Sequence, residues 1–156
     1  ILLIDRALKY HVRNLCQHKL GIKVHFDLQC EGVYVPMADA FLELALEKLV
    51  DNAIRATNGR GNLTIRTELN HEVVSIFIED DGPGVPERYR EYFLKRPVPK
   101  APQERGSGLG GLIARFVFER HGGHIEPIFL PVGGTRIHIT LPIHYQHDYV
   151  GGGTAV

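Results

Sequence analysis

The spacing of apolar positions along the chain predicts three helices and one shorter helical piece. Apolar residues recur at helical spacing over residues 4–17. A longer amphipathic stretch begins at Asp39, which we interpret as an N-cap, and continues to about Thr57, where an Asn-Gly pair follows. Residues 109–121 form the third predicted helix, ended by a Gly-Gly pair, and residues 88–94 form the shorter piece.

Strand-like patterns fill the intervals between these helices and come in pairs. They cover residues 23–28 and 33–36, 63–69 and 73–79, and 124–130 and 135–141. The middle pair is joined by a short polar turn that is typical of a β-hairpin. Because the order lacks regular strand–helix–strand alternation, a Rossmann fold is excluded. We predict an α+β fold, a two-layer α/β sandwich whose helices pack on one face of a mixed, mainly antiparallel sheet.

The composition excludes some classes of protein but does not indicate a specific function. The 156 residues suit one domain, which we assign to residues 1–145, with a flexible glycine-rich tail over residues 146–156. The 18 basic and 18 acidic side chains cancel, which argues against nucleic-acid binding through a positive field. Apolar runs are too short for membrane insertion, and two isolated cysteines favour reduced thiols in a cytoplasmic protein. Because the sequence starts without Met, we expect a fragment of a longer chain.

One polar side chain lies beside the apolar stripe of the second helix. Asn52, within the sequence VDNAIRAT, is predicted to be half-buried there, so that its amide needs a hydrogen-bonding or metal partner. An amide oxygen suits Mg²⁺, which proteins hold with one or two oxygens together with phosphate oxygens. A surface or helix-capping asparagine is the alternative interpretation.

An apolar strand continues directly into the sequence EDDGPGVP. Gly82 and Gly84 allow the backbone to turn sharply, and they allow a planar ligand to approach without a Cβ clash. The carboxylate of Asp80, at the end of the strand, can accept a hydrogen bond from an exocyclic amine such as that of adenine. A plain tight turn explains the same residues, because Asp and Gly are common in turns.

A glycine cluster, GSGLGG, occupies residues 106–111 at the start of the third helix. N–H groups at a helix N-terminus form an anion site suited to phosphates, although the ending of a P-loop is absent. The preceding segment, residues 94–105, carries four cations and one anion and includes Lys95 and Arg105. We predict a basic lid that closes on a triphosphate, with a solvated loop as the alternative.

Together these motifs resemble a known family. VDNAIRAT, EDDGPGVP, GSGLGG and the late GGTRIHITLP are similar, in order and separation, to the boxes and closing strand of the sensor histidine kinase catalytic domain. The wider group is the GHKL ATPases, which include gyrase B, Hsp90 and MutL. The resemblance covers residues 5–142 and implies the Bergerat ATP-binding fold, with ATP and Mg²⁺ as cofactors.

The resemblance also implies a role for each matching residue. Asn52 corresponds to the Mg²⁺ ligand, and Asp80 to the carboxylate that recognises adenine. Gly82 and Gly84 would shape the adenine pocket, and Thr135 would support it through water. The second glycine box would surround the phosphates, with the residues Gly106, Ser107, Gly108, Leu109 and Gly110.

One position departs from the family pattern. Histidine kinases place a second asparagine, and gyrase-type relatives a catalytic glutamate, four residues before Asn52, where this chain has Lys48. Residues four apart share a helix face, so Lys48 is predicted to point at the same ligand. A protonated lysine neutralises phosphate charge but neither coordinates Mg²⁺ nor acts as a base. Nucleotide binding therefore tolerates the substitution more easily than phosphoryl transfer does. Arg55 is a further candidate for the phosphates, or else an exposed side chain.

The resemblance implies phosphoryl transfer from ATP to a histidine. In the family that histidine lies on a separate helical hairpin, and neither His11 nor His147 has a suitable sequence context, so we interpret both as surface residues. We expect the acceptor on a dimerisation and phosphotransfer hairpin missing from this sequence, with a response regulator as partner. ATP and ADP are the expected ligands, and a monomer is the expected state of the fragment.

Two alternatives stay open. Lys48 motivates the hypothesis of a nucleotide-binding pseudokinase that signals by ATP-dependent lid closure. The sequence NAIRAT is also similar to that of GHKL serine protein kinases, whose phosphorylated product is stable in acid. In each case we expect the domain to lie in the cytoplasm, either in a cytoplasmic protein or in the cytosolic part of a membrane-anchored sensor.

Overall fold

The computed structural model describes residues 1–97 and 108–144, which contain both helices and strands. The elements follow in the order β1 (Leu2–Leu3), α1 (Ile4–Cys16), β2 (Ile22–Leu28), β3 (Tyr34–Val35), α2 (Asp39–Ala56), β4 (Gly61–Asn70), β5 (Val73–Asp80), α3 (Glu87–Arg90), α4 (Gly110–Arg120), β6 (His124–Phe129) and β7 (Thr135–Pro142). None of the helices within these two ranges has the length and apolar character needed to cross a lipid bilayer.

Five strands form the main sheet, in the order β2-β4-β5-β7-β6. β2 and β4 pair in parallel, whereas the other three pairings are antiparallel. β1 and β3 form a separate antiparallel pair. The predicted mixed, mainly antiparallel sheet is therefore confirmed. The predicted hairpin between β4 and β5 is confirmed as well, and its turn places His71 at a φ of 56°.

The core lies between one face of this sheet and the three long helices. Because successive strand residues point to opposite faces, the alternate apolar residues of β4, β5 and β7 are buried together. They are Leu63, Ile65, Val74, Ile76, Ile78, Ile137, Ile139 and Leu141. The helices cover them with Ile4, Leu8, Val12, Leu42, Leu46, Leu49, Ala114, Val117 and Phe118. The predicted two-layer sandwich is confirmed.

The start of α2 differs from the prediction. Asp39 is the first helical residue, and the N-cap position belongs to Ala38, which has extended backbone and makes no side-chain cap. The Asp39 carboxylate instead lies 2.8 Å from Nε2 of His11 on α1. His11 is buried, so its interpretation as a surface residue was wrong. The interhelical contact explains both differences, because it engages the carboxylate that would otherwise cap the helix.

The short helical piece is also shorter than predicted. Regular α-helix covers only Glu87–Arg90, and hydrogen-bonded turns continue to residue 96. Leu94, which the prediction placed inside the helix, has a φ of 64° and cannot continue it. Most of the predicted lid and the whole of the predicted tail lie outside the described residues.

Candidate functional site

One face of α2 carries three polar side chains on neighbouring turns: Lys48, Asn52 and Arg55. Their spacing of four and three residues places them side by side on the helix. Asn52 is half-buried, as predicted. The side chains of Lys48 and Arg55 are each 31% exposed, so both cations are partly withdrawn from water.

The amide oxygen of Asn52 is already engaged. Nη2 of Arg55 donates a hydrogen bond to Oδ1 of Asn52 at 2.6 Å and lies 3.2 Å from the Asp51 carboxylate. Lys48 has a looser contact, with Nζ 3.7 Å from the carboxylate of Glu47. The oxygen that the sequence assigns to a metal is therefore held by a guanidinium in this structure, and a cation must displace that group to reach it.

The start of α4 faces the same side chains. Gly108 has a φ of 75°, Leu109 precedes the helix as its N-cap, and Gly110 is the first helical residue. A Cβ on Gly110 would lie 3.6 Å from Cβ of Lys48 and 3.7 Å from Oδ1 of Asn52. The N-terminus of this helix of 11 residues, with its partial positive charge, therefore lies beside the polar face of α2. Gly106, Ser107 and Arg105 lie outside the described residues.

Lys95 follows a segment that packs against the first turn of α4. Leu94 is buried, and a Cβ on Gly111 would lie 2.9 Å from its Cδ2 atom. Nη1 of Arg115 donates a hydrogen bond to the Leu94 carbonyl oxygen at 3.1 Å. Lys95 itself is exposed. The structure thus places Lys95 near the start of α4, and its contribution to phosphate binding stays a prediction.

Asp80 ends β5 and is only 8% exposed. The Gly82 N–H donates to its Oδ1 at 3.0 Å, and the backbone N–H of Thr135 also bonds to the carboxylate. Burial raises the pKa of Asp80, an effect that these two hydrogen bonds oppose and the negative charges of Asp81 and Glu79 reinforce. A buried carboxylate with spare acceptor capacity is poised to take a hydrogen bond from a ligand.

A narrow crevice, closed to a water molecule in this structure, adjoins Asp80 between α2 and the sheet. The other residues that line it are Ile22, Ala53, Ile54, Thr57, Asn62 and Leu63. The Thr57 hydroxyl donates to the carbonyl oxygens of Ala53 and Ile54, each at 3.0 Å, so this polar group is satisfied within the helix. Its mostly apolar lining and one buried carboxylate have the chemistry to contact a flat ring that carries an amine, but the crevice must widen to admit such a ring.

The turn after β5 fits between two other backbone segments. A Cβ on Gly82 would lie 2.8 Å from the carbonyl oxygen of Ala56, at the end of α2. Gly84 has a φ of 84°, and a Cβ there would lie 3.4 Å from the carbonyl oxygen of Gly134. Gly134 itself, with a φ of 94°, packs against the backbone of Asp80. The sequence identified the first two glycines as parts of the pocket, whereas Gly134 entered only as part of the closing-strand motif GGTRIHITLP.

Sequence reasoning also missed a hydrogen-bonded network that holds the residue after Asp80. The side-chain and backbone N–H groups of Asn62 both donate to the Asp81 carboxylate, each at 2.7 Å. These bonds hold the pKa of Asp81 below its ordinary value. Oδ1 of Asn62 lies 2.8 Å from Nε2 of His25, on β2. No local signal marks this network, because its members lie on β2, on β4 and just after β5, which are neighbours only in the folded sheet.

Comparison with known proteins identifies a family and several relatives that are similar to this chain. Residues 37–145 match the family model described as histidine kinase-, DNA gyrase B-, and HSP90-like ATPase. The sensor histidine kinase CpxA of Escherichia coli K12 is 32% identical over 66% of this chain and 23% of its own length. The sensor histidine kinase component HK1 of Mycobacterium tuberculosis is 32% identical over 70% of this chain and 66% of its own length. The chain thus spans under a quarter of CpxA and just under two thirds of HK1.

A solved structure has the same fold. The mycobacterial sensor histidine kinase MprB superposes with a TM-score of 0.76 over 90% of this chain and 96% of its own, at 24% sequence identity. At that level of identity the match concerns the arrangement of strands and helices. It supports the sheet order and the helical layer described above.

Proposed function

Because the chain belongs to the family of histidine kinase-, DNA gyrase B- and HSP90-like ATPases, we propose that it is the ATP-binding catalytic domain of a sensor histidine kinase. The observation that carries the proposal is the convergence of distant motifs on one region. Asn52 on α2 lies beside Gly110 at the start of α4. Asp80 lies at the crevice between α2 and the sheet. The names of the relatives CpxA and HK1, both sensor histidine kinases, support it.

The adenine ring binds beside Asp80, and the crevice between α2 and the sheet widens to admit it. The ionised carboxylate accepts a hydrogen bond from the exocyclic amine, while the apolar walls cover the faces of the ring. Gly82 and Gly84 permit the close approach of the ring to the backbone. The Thr135 N–H holds the carboxylate, and the Thr135 side chain supports the ring through water.

The phosphates lie between the polar face of α2 and the start of α4. Backbone N–H groups of Gly108, Leu109 and Gly110 contribute to this anion site, as do those of Gly106 and Ser107. The amide oxygen of Asn52 is a hard donor that fits Mg²⁺, with phosphate and water oxygens completing the shell. Mg²⁺ would neutralise phosphate charge there when bound. The predicted lid adds positive charge through Lys95 and Arg105.

Phosphoryl transfer needs little covalent participation by the protein, so this domain acts by positioning and by charge neutralisation. The γ-phosphoryl acceptor is a histidine of a dimerisation and phosphotransfer hairpin in the same protein. A response regulator is the next recipient. This domain works in the cytoplasm and is a monomer when isolated.

Calorimetric titration with ADP and ATP in the presence of Mg²⁺ tests the binding part of the proposal. We expect micromolar to sub-millimolar dissociation constants, and we expect Asp80→Asn to weaken binding by about tenfold or more, because the adenine amine loses its charged acceptor. Asp81→Asn is the matched control, because the neighbouring carboxylate is exposed and held by Asn62. Equal losses in both variants, or no binding by the original chain, would contradict the proposal.

Autophosphorylation of the full-length protein with labelled ATP tests the chemical part. We expect a phosphoprotein that is stable in base and labile in acid, as phosphohistidine is. An acid-stable product would identify a serine kinase of the same family. Nucleotide binding without any labelled product would identify a pseudokinase, the hypothesis that Lys48 motivates.

A further inference from the structure

Two cations flank the amide oxygen of Asn52, the oxygen on α2 that the sequence assigns to a metal. Lys48 lies one helical turn before Asn52, and Arg55 lies one turn after it. Both side chains are about two-thirds covered, and the positive end of α4 faces them. Their nearby carboxylates, Asp51 and Glu47, are more exposed, at 57% and 55%, so water screens these negative charges more strongly. The region where we place the phosphates is therefore biased toward anions before any metal enters.

Arg55 also competes directly with a metal ion. Its guanidinium donates to Oδ1 of Asn52 at 2.6 Å, and a hydrogen bond from a charged donor is roughly twice as strong as a neutral one. Mg²⁺ can bind this oxygen only after the guanidinium has left. The displaced Arg55 then keeps its contact with the Asp51 carboxylate or exchanges it for a phosphate oxygen of the nucleotide. Metal binding at Asn52 is thus offset by the loss of an existing contact.

Lys48 is placed to contact the phosphates without rearrangement of the helices. Its Cβ would lie 3.6 Å from a Cβ on Gly110, so the lysine stem runs past the start of α4. Within residues 1–97 and 108–144, its ammonium group pairs with Glu47 at 3.7 Å, at the long end of the range for an ion pair. The exchange of this contact for one with a phosphate oxygen costs little.

We infer that Lys48 and Arg55 together replace much of the charge that Mg²⁺ supplies at this site, so that the domain binds nucleoside di- and triphosphates with little dependence on Mg²⁺. The inference rests on the proposed function, because it assumes that the nucleotide phosphates lie between α2 and α4. Two formal positive charges next to Asn52 match the charge of one Mg²⁺ ion. Lys48 and Arg55 therefore reduce the gain in nucleotide affinity that results from adding Mg²⁺.

The test is the ratio of the ADP dissociation constants in EDTA and in Mg²⁺, measured by calorimetry on the whole chain. We expect a ratio below about 3 for the original sequence, because the lysine and the arginine remain when the metal is removed. Lys48→Met keeps the aliphatic stem but removes the charge, and we expect its ratio to rise by about tenfold. Lys48→Arg keeps the charge and should keep the ratio low. Lys9→Asn, on the exposed side of α1, controls for a change in net charge, and Lys48→Asn completes the series.

The outcomes separate the two proposals. Binding by the original chain that weakens by more than about threefold in EDTA would overturn this inference and leave the proposed function intact. The inference also fails if Lys48→Met, shown to be folded by its thermal unfolding curve, has the same ratio as the original chain. Absence of ADP binding in either buffer would overturn the proposed function and this inference with it.

Discussion

At the scale of single residues, the buried carboxylate of Asp80 serves ligand binding in our proposal but lowers the stability of the folded protein. Burial raises its pKa, so the folded state disfavours the ionised form relative to the unfolded state. The resulting cost is present above the raised pKa and disappears as the pH falls through it. An uncharged amide of the same shape avoids this cost at neutral pH.

We therefore expect Asp80→Asn to have an equal or higher free energy of unfolding at pH 7, although it binds ADP more weakly. The difference between the two chains should shrink as the pH is lowered toward the ordinary carboxyl value of 3.8. Urea denaturation at several pH values measures this. A variant that is clearly less stable at pH 7 would mean that the hydrogen bonds from Gly82 and Thr135 outweigh the effect of burial.

Gly84 has a backbone angle that favours glycine, and a Cβ there would be in ordinary contact with Gly134. With a φ of 84°, Gly84→Ala should cost about 1 kcal/mol of stability, and the turn beside Asp80 should shift enough to weaken ADP binding. Gly32→Ala is the matched control, because Gly32 has a φ of 75° and a Cβ there would have no neighbouring atom within 4 Å. We expect it to lose similar stability and to keep full ADP affinity. Equal ADP affinity in the two variants would remove Gly84 from the site.

At the scale of elements, the junction of α2 and α4 decides whether phosphates can bind. A Cβ on Gly110 would make contacts of 3.6 to 3.8 Å with Lys48 and Asn52, which are ordinary packing distances. Gly110→Ala should therefore fold, with stability unchanged or higher by up to about 1 kcal/mol because alanine favours the helix. The added methyl group lies where we place the phosphates.

For this variant we expect ADP affinity to fall by about tenfold, with little change in the affinity for adenosine, which lacks phosphates. Calorimetric titration with both ligands measures the difference. A parallel loss for adenosine and ADP would show that the residue acts on the whole cleft, and unchanged ADP affinity would place the phosphates elsewhere.

At the scale of the whole molecule, one sandwich holds together motifs that are far apart in sequence. Phe118 on α4 is fully buried among the core residues of the helices and the sheet. Phe118→Ala should lower the free energy of unfolding by about 3–5 kcal/mol and weaken nucleotide binding indirectly, because α4 loses its anchor. Phe116→Ala is the control on the same helix, since that side chain is 61% exposed, and we expect a change within about 0.5 kcal/mol. Similar losses in the two variants, measured by chemical denaturation, would contradict the assigned packing of α4.

Sequence periodicity predicted the long helices and the positions of the strands from β2 onward, because these patterns are local. The first predicted pair of strands was wrong, since β2 pairs with β4 and β3 pairs with β1. An amphipathic helix and a half-buried strand each repeat their burial along a few residues, and glycines at Gly82 and Gly84 mark a turn wherever they lie. The resemblance of the four motifs to those of the sensor histidine kinase catalytic domain then predicted the Bergerat fold and the roles of the site residues. The α+β class and the position of Asp80 at the end of a strand followed from the sequence itself.

Only the tertiary structure decided which groups meet. The parallel pairing of β2 with β4, the burial of His11 against Asp39 and the contact of Gly134 with Asp80 each join residues that no local pattern relates. The engagement of the Asn52 oxygen by Arg55 depends on which side-chain rotamers the helix and its neighbours permit. Periodicity predicts which residues are buried. Strand register and the packing of distant segments determine which groups each residue contacts. Those contacts determine which ligand groups the site can bind.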